Sequence, residues 1–224
     1  MAVLVVTGVA REARIAAGPG VETICSGGSP ARLRSLLARH DHTGITTVMS
    51  FGIAGGLNQA LIPGHVIVAD AVLTDTQRWP TDTAITNALI RALPGGDSLK
   101  VLRATILGVD LALLDPAAKS EARARTSAAV VDMESHIAAE YAAERGLPFA
   151  AVRVVCDPAS HSLPPLVNEA LKPDGSVSLK GVFGSLRRDP GQIGDLIRLA
   201  RDSQIAFRSL AKAGAVLQAA FAKA

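Results

Sequence analysis

Aromatic side chains are scarce, 3% of 224 residues, and that scarcity removes the stacking platforms on which single-stranded nucleic acids are held. Nucleic-acid binding is therefore not expected. The two cysteines, Cys25 and Cys156, are far apart and form no Cys-x-x-Cys or Cys/His ligand spacing, so neither a disulfide framework nor a structural metal is expected, and a reducing compartment is. No apolar run is long enough to span a bilayer. The apolar start Met1-Ala2-Val3-Leu4-Val5-Val6 lacks the basic residues of a signal peptide and reaches Thr7-Gly8 within one short strand, which points to a cytoplasmic protein. A Walker loop, a serine-nucleophile elbow and a metal-binding His/Glu pair are all missing. What remains is the chemistry of carboxylates.

Hydrophobic residues make up 49% of the chain and charged ones 19%, enough apolar material for one sizeable core in a single domain over residues 1–224. Strand-like runs recur at Val3 to Val6, Val21 to Cys25, Ile45 to Phe51, His65 to Leu73, Val101 to Leu107, Ala129 to Met133 and Phe149 to Cys156. Helical spacing falls between several of them, at Pro30 to Arg39, Asp82 to Leu93, Pro116 to Arg125 and Ser135 to Arg145, often with Pro or Asp at the start. The alternation predicts an α/β fold, a three-layer α/β/α sandwich around a mostly parallel sheet. Beyond Pro158 come an irregular stretch and a helical C-terminal extension from about residue 185, with closing helices over Ile193 to Phe221. The formal net charge is +3, and Arg187, Arg188, Arg198, Arg201, Arg208 and Lys212 concentrate positive charge late in the chain. They fit a solvated helix face or a weak attraction to anionic headgroups.

The stretch Val130 to Pro158 holds two strand-like runs around one helix, and each run leads into an acid, Glu134 and Asp157. A β-α-β unit of this kind delivers both to one sheet edge, where small ligands settle in α/β proteins. Phe51 and the glycine cluster Gly52-Ile53-Ala54-Gly55-Gly56 follow another buried strand, reading either as a tight turn or as backbone that a ligand approaches closely. Two further glycine turns, Thr7-Gly8 with Arg11 beyond it and Ser26-Gly27-Gly28-Ser29 with Arg32 beyond it, precede helices and suit an anion. His161 is placed to touch a ligand, whereas His136 reads as a packed or capping histidine. Trp79 fits a loop anchor, a lid or an interfacial contact.

With Asp132-Met133-Glu134-Ser135, then Arg153-Val154-Val155-Cys156-Asp157, then Gly52-Ile53-Ala54-Gly55-Gly56, the chain resembles the purine nucleoside phosphorylase and nucleosidase superfamily over most of residues 1 to 160. Its tail, Leu171-Lys172-Pro173-Asp174-Gly175 through Arg201-Asp202-Ser203-Gln204-Ile205-Ala206-Phe207-Arg208, is similar to the hopanoid-associated phosphorylase branch, linked to removal of adenine from adenosylhopane. The resemblance implies that Glu134 and Asp157 are catalytic. Glu134 would bind the ribose 2′- and 3′-hydroxyls with Met133 against the sugar, and Asp157 would protonate N7 of the departing purine. Phe51, Gly55, Gly56 and His161 would complete the substrate site. It further implies no cofactor or metal, inorganic phosphate as co-substrate, a lipid-linked nucleoside, a homodimer or larger homo-oligomer, and possible peripheral contact with the inner membrane.

The chain departs from the phosphorylase pattern at Ser50, where a cationic side chain is usual, and at Ile53, where a hydroxyl is. Gly8, Arg11, Ser29 and Arg32 would then have to hold phosphate. Hydrolytic members carry a water-activating glutamate near Ala13, where this chain has Glu12. The expectation is phosphorolysis, because Arg11 and the glycine-serine turn suit an anion. A hydrolytic nucleosidase and a purine-binding protein without turnover are the alternatives. A dinucleotide-dependent oxidoreductase is disfavoured, since neither Gly-x-Gly-x-x-Gly nor the later ribose-binding acid is present.

Overall fold

The computed structural model describes residues 2–96, 99–163 and 193–221. Its centre is an eight-stranded sheet built from β1 (Ala2–Thr7), β2 (Val21–Cys25), β3 (Ile45–Gly56), β4 (Val66–Leu73), β5 (Arg78–Pro80), β6 (Val101–Gly108), β7 (Val130–Asp132) and β8 (Phe149–Asp157). Helices α1 (Ala10–Ala16), α2 (Pro30–Ala38), α3 (Thr83–Ala92), α4 (Pro116–Thr126), α5 (Ser135–Glu144) and α6 (Ile193–Phe221) cover it. The C-terminal region, expected as several helices, is one 29-residue helix in its described part.

Local chemistry explains the helix starts. Ser29, Asp82 and Asp115 each accept a hydrogen bond from a backbone N–H in the first turn of α2, α3 and α4, and Pro30 and Pro116 open two of these helices. Period-two alternation divides β1 between two cores. Leu4 and Val6 pack with Leu33 and Leu37 of α2 and Ile137, Ala138 and Tyr141 of α5. Val3 and Val5 face Ala16 of α1, Leu89 of α3 and Ala206, Phe207 and Leu210 of α6. Helices therefore lie on both faces of the sheet.

The sheet is mostly parallel, as expected, with three short antiparallel pairings that make it mixed. Pairs β1/β2, β1/β3, β3/β8, β4/β6 and β6/β7 are parallel, but β3/β7, β4/β5 and β4/β8 are antiparallel. The strands β3, β8, β4, β6 and β7 consequently form a closed ring, because β8 bridges β3 and β4 while β7 bridges β6 and the end of β3. Trp79 lies on the short edge strand β5 opposite Val72, packed against the core as an anchor.

The glycine cluster after Phe51 is also not a turn. β3 runs on through Gly56, and Gly52, Gly55 and Gly56 are absent from the positions with positive φ. These glycines serve by lacking a side chain. A Cβ on Gly52 would come within 2.5 Å of Glu12 Oε1, and one on Gly55 within 3.2 Å of Asp157 Oδ1. Gly55 pairs with Val131 of β7 on one side and with Asp157 of β8 on the other, so this strand end forms a bare floor between the segments that carry the acids.

Along α6 the exposed face holds Ile197, Arg198, Arg201, Ile205, Arg208 and Lys212, while Leu210 is fully buried in the core. Arg187 and Arg188 lie outside the described residues. No helix among the described residues is long and apolar enough to cross a membrane. Truncating Leu210 to Ala should cost about 2–5 kcal/mol; urea unfolding measures this, and a loss under about 1 kcal/mol would show that α6 contributes little to the fold.

Candidate active site

Arg153 sits in the middle of β8 and is fully buried. Its Nε lies 2.7 Å from Asp132 Oδ2 and its Nη2 3.5 Å from Glu134 Oε2. Nη2 also donates to Ser50 Oγ at 2.6 Å, and Nη1 donates to the Ile53 carbonyl at 3.3 Å. A buried guanidinium without carboxylates would be prohibitively costly, and buried carboxylates without it equally so. The cation thus orders the strand ends around it.

Asp132 is the turn between β7 and α5. Its Oδ1 accepts from the backbone N–H groups of Glu134 and Ser135, at 3.1 and 2.8 Å, and its Oδ2 accepts from Ser135 Oγ as well as from Arg153. This side-chain turn fixes Glu134 at the start of α5, where Ser26 Oγ donates to its Oε1 at 3.1 Å. A Cβ on Gly8 would come 2.9 Å from that same oxygen. The ends of β1, β2 and β7 therefore meet at one carboxylate.

Glu12 shares the cluster. Its Oε2 accepts from the N–H groups of Gly8 and Val9, at 2.7 and 2.8 Å, and its Oε1 from Ile53 N–H at 2.8 Å. Burial raises the Glu12 carboxyl above its ordinary range, opposed by Arg153 and these N–H groups. Burial pushes Glu134 up to about 7, with Arg153 opposing and the charges of Asp132 and Glu12 adding to the rise. One cation cannot balance three buried carboxylates, so the cluster retains a proton near neutrality.

Asp157 ends β8 across the glycine floor. Lys119 of α4 is completely buried, and its Nζ lies 2.5 Å from Asp157 Oδ2, 3.1 Å from the Pro158 carbonyl and 2.9 Å from the His161 carbonyl. Burial raises the Asp157 carboxyl, and the Lys119 charge and hydrogen bond hold the rise back. A carboxyl poised this way can hold a proton and release it.

The remaining sequence-derived site residues fall in three groups. Gly55 and Gly56 end β3 and Met133 follows β7, beside the two acids, whereas Phe51 lies mid-strand opposite Val152, fully buried in the core with Phe207 and Leu210 of α6 rather than at the site. The His161 ring faces α6, its Nδ1 3.4 Å from Asp202 Oδ2, and it lines a small cavity with Asp157 and Arg198. The anion residues are engaged elsewhere: Gly8 N–H and Val9 N–H are taken by Glu12, the Arg11 guanidinium stacks 4.2 Å over Phe207, and Ser29 Oγ caps Arg32 N–H. His136 is packed as expected, buried with its Nε2 3.0 Å from Asp110 Oδ1.

Sequence reasoning gave no role to Arg153, Asp132 or Lys119. Arg153 left a signal, a lone charge within the apolar run Phe149 to Cys156. Lys119 left none, since a lysine in the first turns of a helix reads as surface.

The model of the phosphorylase superfamily matches residues 3–172. The chain belongs to the phosphorylase superfamily. Cleavage of a nucleoside N-glycosidic bond is accordingly its class of chemistry. Comparison with curated proteins gives no match. Among solved structures, this phosphorylase-superfamily chain is similar to the 5′-methylthioadenosine/S-adenosylhomocysteine nucleosidase of Neisseria meningitidis in complex with methylthio-immucillin-A (TM-score 0.67, 15% identity, covering 97% of this chain and 99% of that one). It is also similar to the futalosine hydrolase of Helicobacter pylori (TM-score 0.64, 14% identity, 84% and 98%). A third neighbour is the S-adenosylhomocysteine nucleosidase of Streptococcus pyogenes in complex with 5-methylthiotubericidin (TM-score 0.63, 17%, 72% and 85%). At such identities the likeness is one of fold.

Two outcomes are expected of the cluster. Arg153→Met leaves buried carboxylates without their cation and should cost about 3–5 kcal/mol in urea unfolding. For Glu134 the folded pKa of about 7 exceeds the ordinary glutamate value of 4.5, so the unfolded chain releases this proton first and stability falls as pH rises from about 4.5 to about 7. Glu134→Gln should flatten that part of the stability–pH curve; an unchanged slope would show that Glu134 is not the titrating group.

Proposed function

We propose that this chain removes adenine from a nucleoside bearing a large apolar 5′ substituent, adenosylhopane in the branch that its tail resembles. The observation that carries the reading is the placement of Glu134 and Asp157 on either side of the bare backbone of Gly55. Breaking a C1′–N9 bond leaves positive charge on the sugar and negative charge on the base. Glu134 is placed to take the ribose hydroxyls near the positive centre, and Asp157, with its raised pKa, to give a proton to N7. The Neisseria and Streptococcus neighbours are nucleosidases named for 5′-substituted adenosines, which supports the base and the modified 5′ position. A large apolar 5′ group needs a broad apolar opening, to which Leu163, partly buried in the loop after Asp157, can contribute; Pro164, Pro165 and Leu166 that follow it lie outside the described residues.

Water is the acceptor that the geometry favours. Glu12 occupies the Gly8 and Val9 N–H groups that an anion would need, and Arg11 is turned onto Phe207. The cation missing at position 50 is supplied by Arg153 through Ser50 Oγ, but that guanidinium is already committed to carboxylates and a carbonyl. A buried carboxylate with a raised pKa is suited to accept a proton from water. Phosphorolysis is the second reading, favoured by the Ser26–Gly28 turn, which folds back onto Gly8 through a 2.9 Å bond from Gly28 N–H to the Gly8 carbonyl.

Adenine release should be followed from adenosylhopane, with adenosine as control, with and without inorganic phosphate. Free ribose-type product at an unchanged rate without phosphate is expected, and Glu12→Gln should abolish it. A strict phosphate requirement with a sugar phosphate product would replace water by phosphate as acceptor. Asp157→Asn should lower kcat by about 10²–10⁴-fold in either case; turnover near the parent rate would remove Asp157 from its role, and adenine binding without any release would leave a binding protein.

A further inference from the structure

Lys119 lies outside every motif that carries the proposed reaction, yet it is completely buried and touches the proposed acid. Its three donors meet three acceptors, Asp157 Oδ2 at 2.5 Å and the carbonyls of Pro158 and His161 at 3.1 and 2.9 Å, which is full use of an ammonium group. The two carbonyls belong to the loop that follows Asp157. A second tie, Leu163 N–H to the Leu114 carbonyl at 2.7 Å, fastens the same loop to the entry of α4. The described segment from Pro158 to Leu163 is thereby strapped to α4, with the lysine at its centre.

We infer that Lys119 is the positioning residue of Asp157, holding its carboxyl over Gly55 and stabilising the carboxylate left after the proton has gone to the purine. The inference rests on the proposed role of Asp157. As C1′–N9 breaks, the electron pair of that bond passes to the base and the Asp157 proton passes to N7. The carboxylate that remains is neutralised by the Lys119 ammonium beside it. Engagement of Oδ2 by Lys119 fixes the rotation of the carboxyl group, whose two oxygens both lie against the floor, 3.2 Å and 3.3 Å from where a Cβ on Gly55 would be, and Oδ1 is the one that Lys119 leaves unengaged.

Burial and the ammonium act on Asp157 in opposite senses, and their balance sets how readily the proton leaves. The other charged or titratable groups around it are His161 on its own loop, Arg198 and Asp202 on α6, and the neighbouring Cys156 on β8. The facing segments of β3 and β7, Gly55 and Val131, bring no charge.

The test compares Lys119→Met, Asp157→Asn and the double variant, using adenine release from 5′-methylthioadenosine or adenosine across pH. Losing the cation raises the Asp157 pKa, so the high-pH limb of kcat/KM should move upward by about one unit or more. The weaker acid should lower kcat by about 10- to 100-fold. In the Asp157→Asn background, Lys119→Met should have no further effect on kcat, because the two residues act as one unit. Should Lys119→Met fail to fold, Lys119→Gln retains a donor for the loop carbonyls without the charge and is expected to show the same limb shift. A lysine that only braces the loop would lower kcat with the limb unmoved and with effects that multiply in the double variant; either result overturns the inference. Full turnover in Asp157→Asn overturns the assignment of the acid itself, and is thereby distinguishable from a failure confined to Lys119.

Discussion

A single buried guanidinium sets the geometry of the site. Arg153 holds Asp132 and Glu134 from β7 and its following turn, Ser50 and Ile53 from β3, and the field of Glu12 from α1. Each of these carboxylates would be costly in the interior alone. Together around one cation they are tolerable, though burial, with the charges of Asp132 and Glu12 adding to it, lifts Glu134 toward neutrality. The perturbation expected at functional sites thus has a simple origin here, the burial of more acids than one cation offsets.

The second acid has its own separate cation. Asp157 is paired with Lys119 from α4 rather than with Arg153, so two independent ion pairs flank the glycine end of β3. The separation suits a reaction that develops opposite charges at the sugar and at the base. In the proposed reaction one pocket of charge responds to the ribose and the other to the purine, and the floor between them is backbone alone.

Much of this was legible in the sequence. The strands and helices are found near their expected positions because apolar period, N-cap residues and Pro at first helical positions are local signals, and Val21–Cys25 was bounded to the residue. The acids Glu134 and Asp157 stand out as candidates because strand ends in α/β proteins carry ligands. Less legible were features that depend on strands distant in the chain. Antiparallel pairing of β8 with β4, continuation of β3 through its glycines, and burial of Lys119 all follow from what lies next to those residues in space. A glycine run reads as a turn until its neighbours are known to be carboxylates. Arg11 read as an anion ligand because nothing local reveals that Phe207, nearly two hundred residues later, would lie beneath it.

The closed ring of strands also bears on how the chain reaches its native state. The ring is completed only when β8 inserts between β3 and β4, pairing Val48 with Phe149 and Val66 with Val154. During synthesis from the N-terminus, the facing edges of two apolar strands stay open until about two thirds of the chain has emerged, and unpaired strand edges are where chains associate wrongly. The same late strand brings Arg153 and Asp157. The cluster of buried charges and the protection of those edges are therefore acquired in one step, so a nascent chain that has assembled that cluster has also lost its most adhesive surface.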